Sequence, residues 1–171
     1  MTFQSTVRRD QAGGVVGEII FGGPHRANSG ILQSTDEANN VVGRAFKLVD
    51  GTDNTYSADI GAISATNPFV GILVNPKVYA LRGEAPLDTL APSITLPNAA
   101  SGEFLTMGTI IVTMDAAASI GNDVYASDTN GTLTPVAVGD TPPSGYSQVP
   151  NAKVTYRNTT GAGDAIITLT N

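Results

Sequence analysis

Apolar positions in this chain come in short runs, and the breaks between them are built from Gly, Pro, Asn and Asp. Nowhere does an apolar stripe recur every three to four residues for long enough to argue a helix, whereas short apolar or alternating runs between turn residues argue strands. Val15–Phe21 reads as a first strand closed by Gly22-Gly23-Pro24. Residues 24–40 read as a long loop, with one helical turn over Ser34–Ala38. Phe69–Val74 is a short apolar run between Asn-Pro pairs and reads as a buried strand. Lys77–Arg82 alternates and reads as half-buried. Pro86, Pro92 and Pro97 exclude a regular helix over 83–102. Its apolar beads, Leu90, Ile94 and Leu96, either cover a sheet edge, fill a subunit interface, or form a satellite core within the chain. Ala152–Tyr156 and Ala165–Leu169 close the chain as strands.

Glu103–Met114 is the longest strand signal. Phe104, Gly108, Ile110, Val112 and Met114 share one face, while Leu105, Met107 and Ile111 put apolar groups on the other. A strand apolar on both faces is either central or covered by a partner subunit.

One string occurs twice. Val42-Gly43-Arg44-Ala45-Phe46-Lys47-Leu48-Val49-Asp50 runs into a polar turn and returns through Thr55-Tyr56-Ser57. Ile120-Gly121-Asn122-Asp123-Val124-Tyr125-Ala126-Ser127-Asp128 runs into Thr129-Asn130-Gly131 and returns through Thr132–Val136. Both copies are hairpin code, strand formers broken by residues that tolerate the positive φ of tight turns. About ten short strands with Gly and Pro punctuation predict an all-β sandwich or barrel. Residues 1–14, polar and ending in Gly13-Gly14, read as an extended N-terminal arm, and 15–171 as a single β domain.

Composition narrows the chemistry. Across 171 residues there is no Cys, no Trp and one His, so disulfides and thiolate metal sites are excluded and imidazole chemistry rests on His25 alone. Nine Lys+Arg against fifteen Asp+Glu give a net charge of −6, a poor balance for holding polyanions. Only 14% of residues are charged, so the surface is built from Thr, Ser, Asn, Gly and Ala and desolvates cheaply against other proteins. No apolar run is long enough for a membrane helix, and no apolar stretch follows Arg8-Arg9 as a secretory signal requires.

The candidate sites are weak. His25 with Asp36 or Glu37 lacks the third, orienting group of a catalytic triad. Asp50–Asn54 and Asp128–Gly131 resemble calcium loops, but position twelve from Asp50 is Gly61, not Glu. Local turn bonds explain those Asp and Asn side chains better. Gly161-Ala162-Gly163 precedes a strand rather than the helix a phosphate cradle needs. No catalytic site, metal or cofactor is expected. Arg8-Arg9 either docks on an acidic surface or belongs to a frayed end.

The order and spacing of these motifs resemble the structural cement, or head decoration, proteins of tailed bacteriophages. Three places carry the likeness: the arm with Val15–Phe21 and its Gly-Pro loop; Val42–Phe46, its turn and Phe69–Leu73; and Ile120–Tyr125, the Asn-Gly turn and Val149-Pro150-Asn151-Ala152-Lys153 before a glycine-rich closing strand. The likeness covers most of residues 10–171 but not 26–40 or 84–101. It implies a jelly-roll-like domain that binds the outer surface of the phage head. Its partner would be the major capsid protein, contacted by a homo-oligomer, dimer or trimer, without nucleic acid or membrane. Phe3, Val7, Arg8 and Arg9 of the arm, with Leu105, Met107 and Ile111, are the expected capsid or subunit interface. The competing reading is a receptor- or carbohydrate-binding β-module of a fibre. Such modules stack sugars on exposed aromatics, whereas Tyr56, Tyr79, Tyr125, Tyr146 and Tyr156 are scattered.

Overall fold

The computed structural model describes residues 14–20, 22–76, 94–156 and 158–170. Among them run nine strands: β1 (Arg26–Leu32), β2 (Ala45–Leu48), β3 (Thr55–Ser57), β4 (Phe69–Leu73), β5 (Ser101–Met114), β6 (Asp123–Ser127), β7 (Leu133–Val136), β8 (Tyr146–Tyr156) and β9 (Gly163–Leu169). A single 3₁₀ turn, Glu37–Asn39, is capped by the Asp36 carboxylate, which accepts from the Ala38 N–H.

The strands close into two rings that share β5. The first ring runs β1-β3-β2-β4-β5 and is closed by β1–β5; the second runs β5-β7-β6-β8-β9 and is closed by β5–β9. Each ring therefore has five staves and the same plan: a strand, an antiparallel hairpin whose second arm lies parallel to that strand, and two more antiparallel strands. The twice-written string of the sequence is the hairpin of each ring, β2–β3 and β6–β7. The fold is thus a tandem pair of β-barrels, and its parallel contacts β1–β3 and β5–β7 differ from the two-sheet order of a jelly roll.

β5 spans both rings in 14 residues. Its first half pairs with β1 and β4; its second half, from Gly108, pairs with β9. Gly108 sits at that changeover with φ of 128°, and a Cβ there would lie 2.9 Å from the Cβ of His25. Only glycine meets both demands.

Alternation along the strands sorts side chains into two cores. Leu32, Phe46, Tyr56, Leu73 and Phe104 fill the first barrel, with Phe46 and Tyr56 set edge-on to Phe104 at centroid distances of 5.2 and 4.7 Å. Ile110, Val112, Met114, Val124, Val149, Val154 and Ile167 fill the second. Ala45, Ile72, Val74 and Leu105 alternate with the first set and point outward from the first barrel. They join the second core instead, so one barrel's outer wall plugs the mouth of the other.

Backbone carbonyls of the β6–β7 turn are gripped by β2 and the residue before it. Ala45 N–H donates to Gly131 O at 2.9 Å, Arg44 donates to Asn130 O at 3.2 Å, and the Lys47 ammonium donates to Asp128 O at 3.4 Å and to Gly61 O at 2.6 Å. Lys47 is wholly buried, and that burial lowers its pKa, opposed by the nearby carboxylates of Asp128 and Asp59.

Three expectations change. The loop read over 24–40 contains β1. The apolar Val15–Phe21 is not a barrel stave: its described residues lie along β5 through one bridge, Ile19 with Ile110, as a strip covering the seam between the rings. β8 starts at Tyr146, well before Ala152, and accommodates Pro150 and the positive-φ Asn151 in a register shift against β6. Lys77–Arg82, Leu90 and the arm before Gly14 lie outside the described residues. Leu96, by contrast, is buried in the first core, with Ile94 packed against it.

Candidate docking surface

The β6–β7 turn faces the first barrel, so the opposite end of the second barrel is the far tip of the tandem. There β6 begins, β7 ends and β8 ends. The loop between β5 and β6 is fastened to the loop between β8 and β9. Ala118 N–H donates to Thr159 Oγ1 and Thr159 N–H to Ala118 O, both at 2.8 Å. Ile120 N–H donates to Asn158 Oδ1, and Gly121 N–H to Val154 O, again at 2.8 Å. Ser119 N–H donates to Asn122 Oδ1 at 2.7 Å.

On this braced end stand Ile120, Val138 and Tyr156, which are 59%, 69% and 63% exposed. Among the described residues only Val15 and Ile31 are comparably exposed large apolar side chains. Three at one end, with the backbones of Ile120 and Tyr156 already bonded, form the arrangement a protein partner can cover at little entropic cost.

The flank of the same barrel is polar. Thr109, Thr168 and Thr155 form a row across β5, β9 and β8, with hydroxyl oxygens 3.0 and 2.9 Å apart. Beside it a shallow depression is lined by Asp123, Gln148, Asn151, Lys153, Thr155 and Thr168, and by no aromatic ring. The Lys153–Asp123 ion pair at 2.7 Å sits at its edge. Sugar recognition of the kind set out for a fibre module stacks on aromatics, and this depression supplies none.

The structure disperses the sequence-derived candidates for chemistry. His25 precedes β1 and Asp36 follows it, so the length of the strand separates them. Asp59, rather than Asp50, organises its neighbourhood: its carboxylate accepts from Thr35 N–H and Asp36 N–H at 2.8 Å, Ser57 Oγ at 2.8 Å and Asn39 Nδ2 at 3.1 Å. Burial pushes its pKa up, but these bonds outweigh burial and hold the carboxyl below its usual value. Asn130 Oδ1 accepts from Thr132 N–H at 3.0 Å, which is turn chemistry, whereas Asp128 Oδ1 accepts from Ser147 Oγ of β8 at 2.6 Å, a bond to another strand rather than a local one. Among the described residues no group of three His, Cys, Asp or Glu side chains gathers at one point.

Of the expected interface residues, Leu105 is fully buried in the second core and Ile111 is almost so, lying close to Gly14 of the covering strip. The second apolar face of β5 is thus covered by the chain itself. Met107 is half-buried opposite Arg26. Phe3, Val7, Arg8 and Arg9 lie outside the described residues. Ile120, Val138 and Tyr156 were not singled out as interface; the only signal was their place beside turns, which is no signature by itself.

A family model described as "Structural cement protein (E217 gp24/Pam3 gp6)" matches residues 3–171. A solved structure titled "The capsid of Myoviridae Phage XM1" has the same fold in one of its chains, with a TM-score of 0.62 at 19% identity, covering 100% of this chain and 99% of that one. No curated protein matches.

Proposed function

The chain belongs to the phage structural cement protein family, and from that premise we propose that it binds the outer surface of an icosahedral head and stabilises the lattice of the major capsid protein. The observation that carries this reading is the span of the family match, which takes in residues 3–171.

The physics needs no reaction. A protein that binds the assembled shell better than its separated subunits shifts the equilibrium toward the shell, by about 2.7 kcal/mol per site at a hundredfold excess over Kd. Many symmetric copies bound across subunit junctions add avidity, so each contact can be weak. The far tip, with Ile120, Val138 and Tyr156, is the capsid-facing end. The arm residues Phe3, Val7, Arg8 and Arg9, with Met107, supply further capsid or subunit contacts.

Purified protein mixed with expanded shells should co-sediment at saturating occupancy and raise the temperature at which the shells open. Tyr156→Ala and Ile120→Asp should each weaken binding about tenfold or more, the scale of an interface hot spot, while leaving the melting temperature of the free protein within a few degrees. Deleting residues 2–10 should weaken retention without unfolding the barrels. A protein that binds no shell at any concentration overturns the reading.

A further inference from the structure

We propose that Asn130 is a deamidation site locked by the barrel junction. It reacts with water only when the two barrels come apart, and its product keeps them from closing as before.

Asn130-Gly131 is the one Asn-Gly pair in the chain. Asn is a thermolabile residue, and it is most so before Gly, whose missing side chain leaves the following nitrogen unshielded. In the reaction the Gly131 nitrogen loses its proton and bonds Asn130 Cγ. The carboxamide nitrogen leaves with that proton as ammonia. Water then adds to the cyclic imide and opens it at either carbonyl. One product is aspartate. The other is isoaspartate, in which the chain runs through the former side chain and is one methylene longer.

The groups that must move are engaged at the junction. Gly131 N–H donates to Ser127 O at 3.0 Å, and an imide nitrogen, which carries no hydrogen, has to give that bond up. Asn130 Oδ1 accepts from Thr132 N–H at 3.0 Å and from Thr132 Oγ1 at 2.8 Å, which holds the carboxamide in place. The carbonyls on either side of the attacking nitrogen are gripped from the first barrel: Asn130 O by Arg44 at 3.2 Å and Gly131 O by Ala45 N–H at 2.9 Å. Gly131 is buried, and a Cβ added to it would lie 2.4 Å from Ala45 O and 3.2 Å from Ala58 Cβ. A base reaches the nitrogen once the turn has left β2. Local opening of the junction therefore sets the rate, not the chemistry of the dipeptide.

The first barrel holds the comparison. The β2–β3 hairpin, the other copy of the repeated string, carries Asp50-Gly51 in its turn. Gly51 has φ of 74° and Gly131 has φ of 71°, so the two glycines share a backbone conformation. Asp50 and Gly51 are exposed, whereas Gly131 is buried against the neighbouring barrel. Docking separates the two turns. It also makes the reaction one-way. The isoaspartate product lengthens the chain between Asp128 O, held by Lys47, and Gly131 O, held by Ala45, so both can no longer be met in the same register.

The full chain is kept in mildly alkaline buffer, and conversion is followed by peptide mass spectrometry and an isoaspartate-specific methylation assay. Asn130 should convert at least about a hundredfold more slowly in the folded chain than in urea. The variant Asp50→Asn places the same dipeptide in the exposed turn, and that site should convert at least about tenfold faster than Asn130 of the same molecule. Arg44→Ala, which releases Asn130 O, should raise conversion at Asn130 about tenfold and raise hydrogen exchange at the Ala45 amide in step. Val154→Ala, in the second core near the far tip, should raise neither. Chain converted in urea and refolded should show fast exchange at Ala45. The proposal is overturned by equal rates in folded and unfolded chain, or by equal acceleration from Val154→Ala and Arg44→Ala. It is also overturned by refolded converted chain that protects Ala45 as before. Slow conversion at the Asp50→Asn site would assign the protection to the turn itself and overturn it too; that surface substitution keeps the test open should Arg44→Ala fail to fold.

Discussion

Asp59 and Lys47 show how single ionisable groups hold irregular chain in place. Asp59 gathers two backbone N–H groups and the Asn39 side chain from the turn after β1, and the Ser57 hydroxyl from the end of β3. Asp59→Ala should cost about 1–3 kcal/mol at pH 7 in urea unfolding, the scale of bonds to a charged acceptor. Because the folded carboxyl is held below its unfolded value, its contribution is present above the unfolded pKa and lost as pH falls through the folded one. The stability gap between wild type and Asp59→Ala should therefore close below about pH 4. Lys47 works differently, since burial disfavours its charge while the carbonyls of Gly61 and Asp128 claim it. Lys47→Met fits a chain of similar length into the space but leaves those carbonyls unmet, and should destabilise by about 1–3 kcal/mol.

Hairpins are where sequence and structure agree most closely. Gly131 shows why the second one is fixed: its φ is 71°, and an added Cβ would lie 2.4 Å from Ala45 O on the first barrel. Gly121 also has positive φ but open space around it. Gly131→Ala should thus cost at least about 2 kcal/mol more than Gly121→Ala, which carries only the conformational term; paired denaturation curves measure the difference. The β2–β3 and β6–β7 hairpins, β4 and the core of β5 were legible because each alternates or runs apolar between turn residues. β1 was not. Arg26-Ala27-Asn28-Ser29 is exposed throughout, so no burial pattern marks it, and only its pairing with β5 makes it a strand. Val15–Phe21 misled in the opposite sense, because a strip that covers a seam needs the same apolar residues as a stave. The two-faced pattern of β5 was legible as far as burial, but sequence offers no way to tell a second subunit from a second barrel of the same chain. For the docking surface, exposed Ile120, Val138 and Tyr156 acquire meaning only when the loops bring them to one end.

At the scale of the whole molecule the two barrels are not independent. They share β5, and the second core contains Ala45, Ile72, Val74 and Leu105 from the first barrel's wall. Unfolding either ring exposes residues buried by the other. Calorimetry should give one transition with equal van't Hoff and calorimetric enthalpies. Ile72→Ala, in the shared wall, should lower that single transition by about 2–5 kcal/mol rather than split it in two. The shared strand also has a mechanical meaning. A pull that tends to part the barrels along β5 is carried by covalent backbone through the junction. The ladders to β1 and β4 on one side and β9 on the other are then loaded in shear, many bonds at once, instead of peeling one by one. Under the proposed function, a shell that strains outward would meet in each such tandem a tether whose resistance depends on the direction of the load.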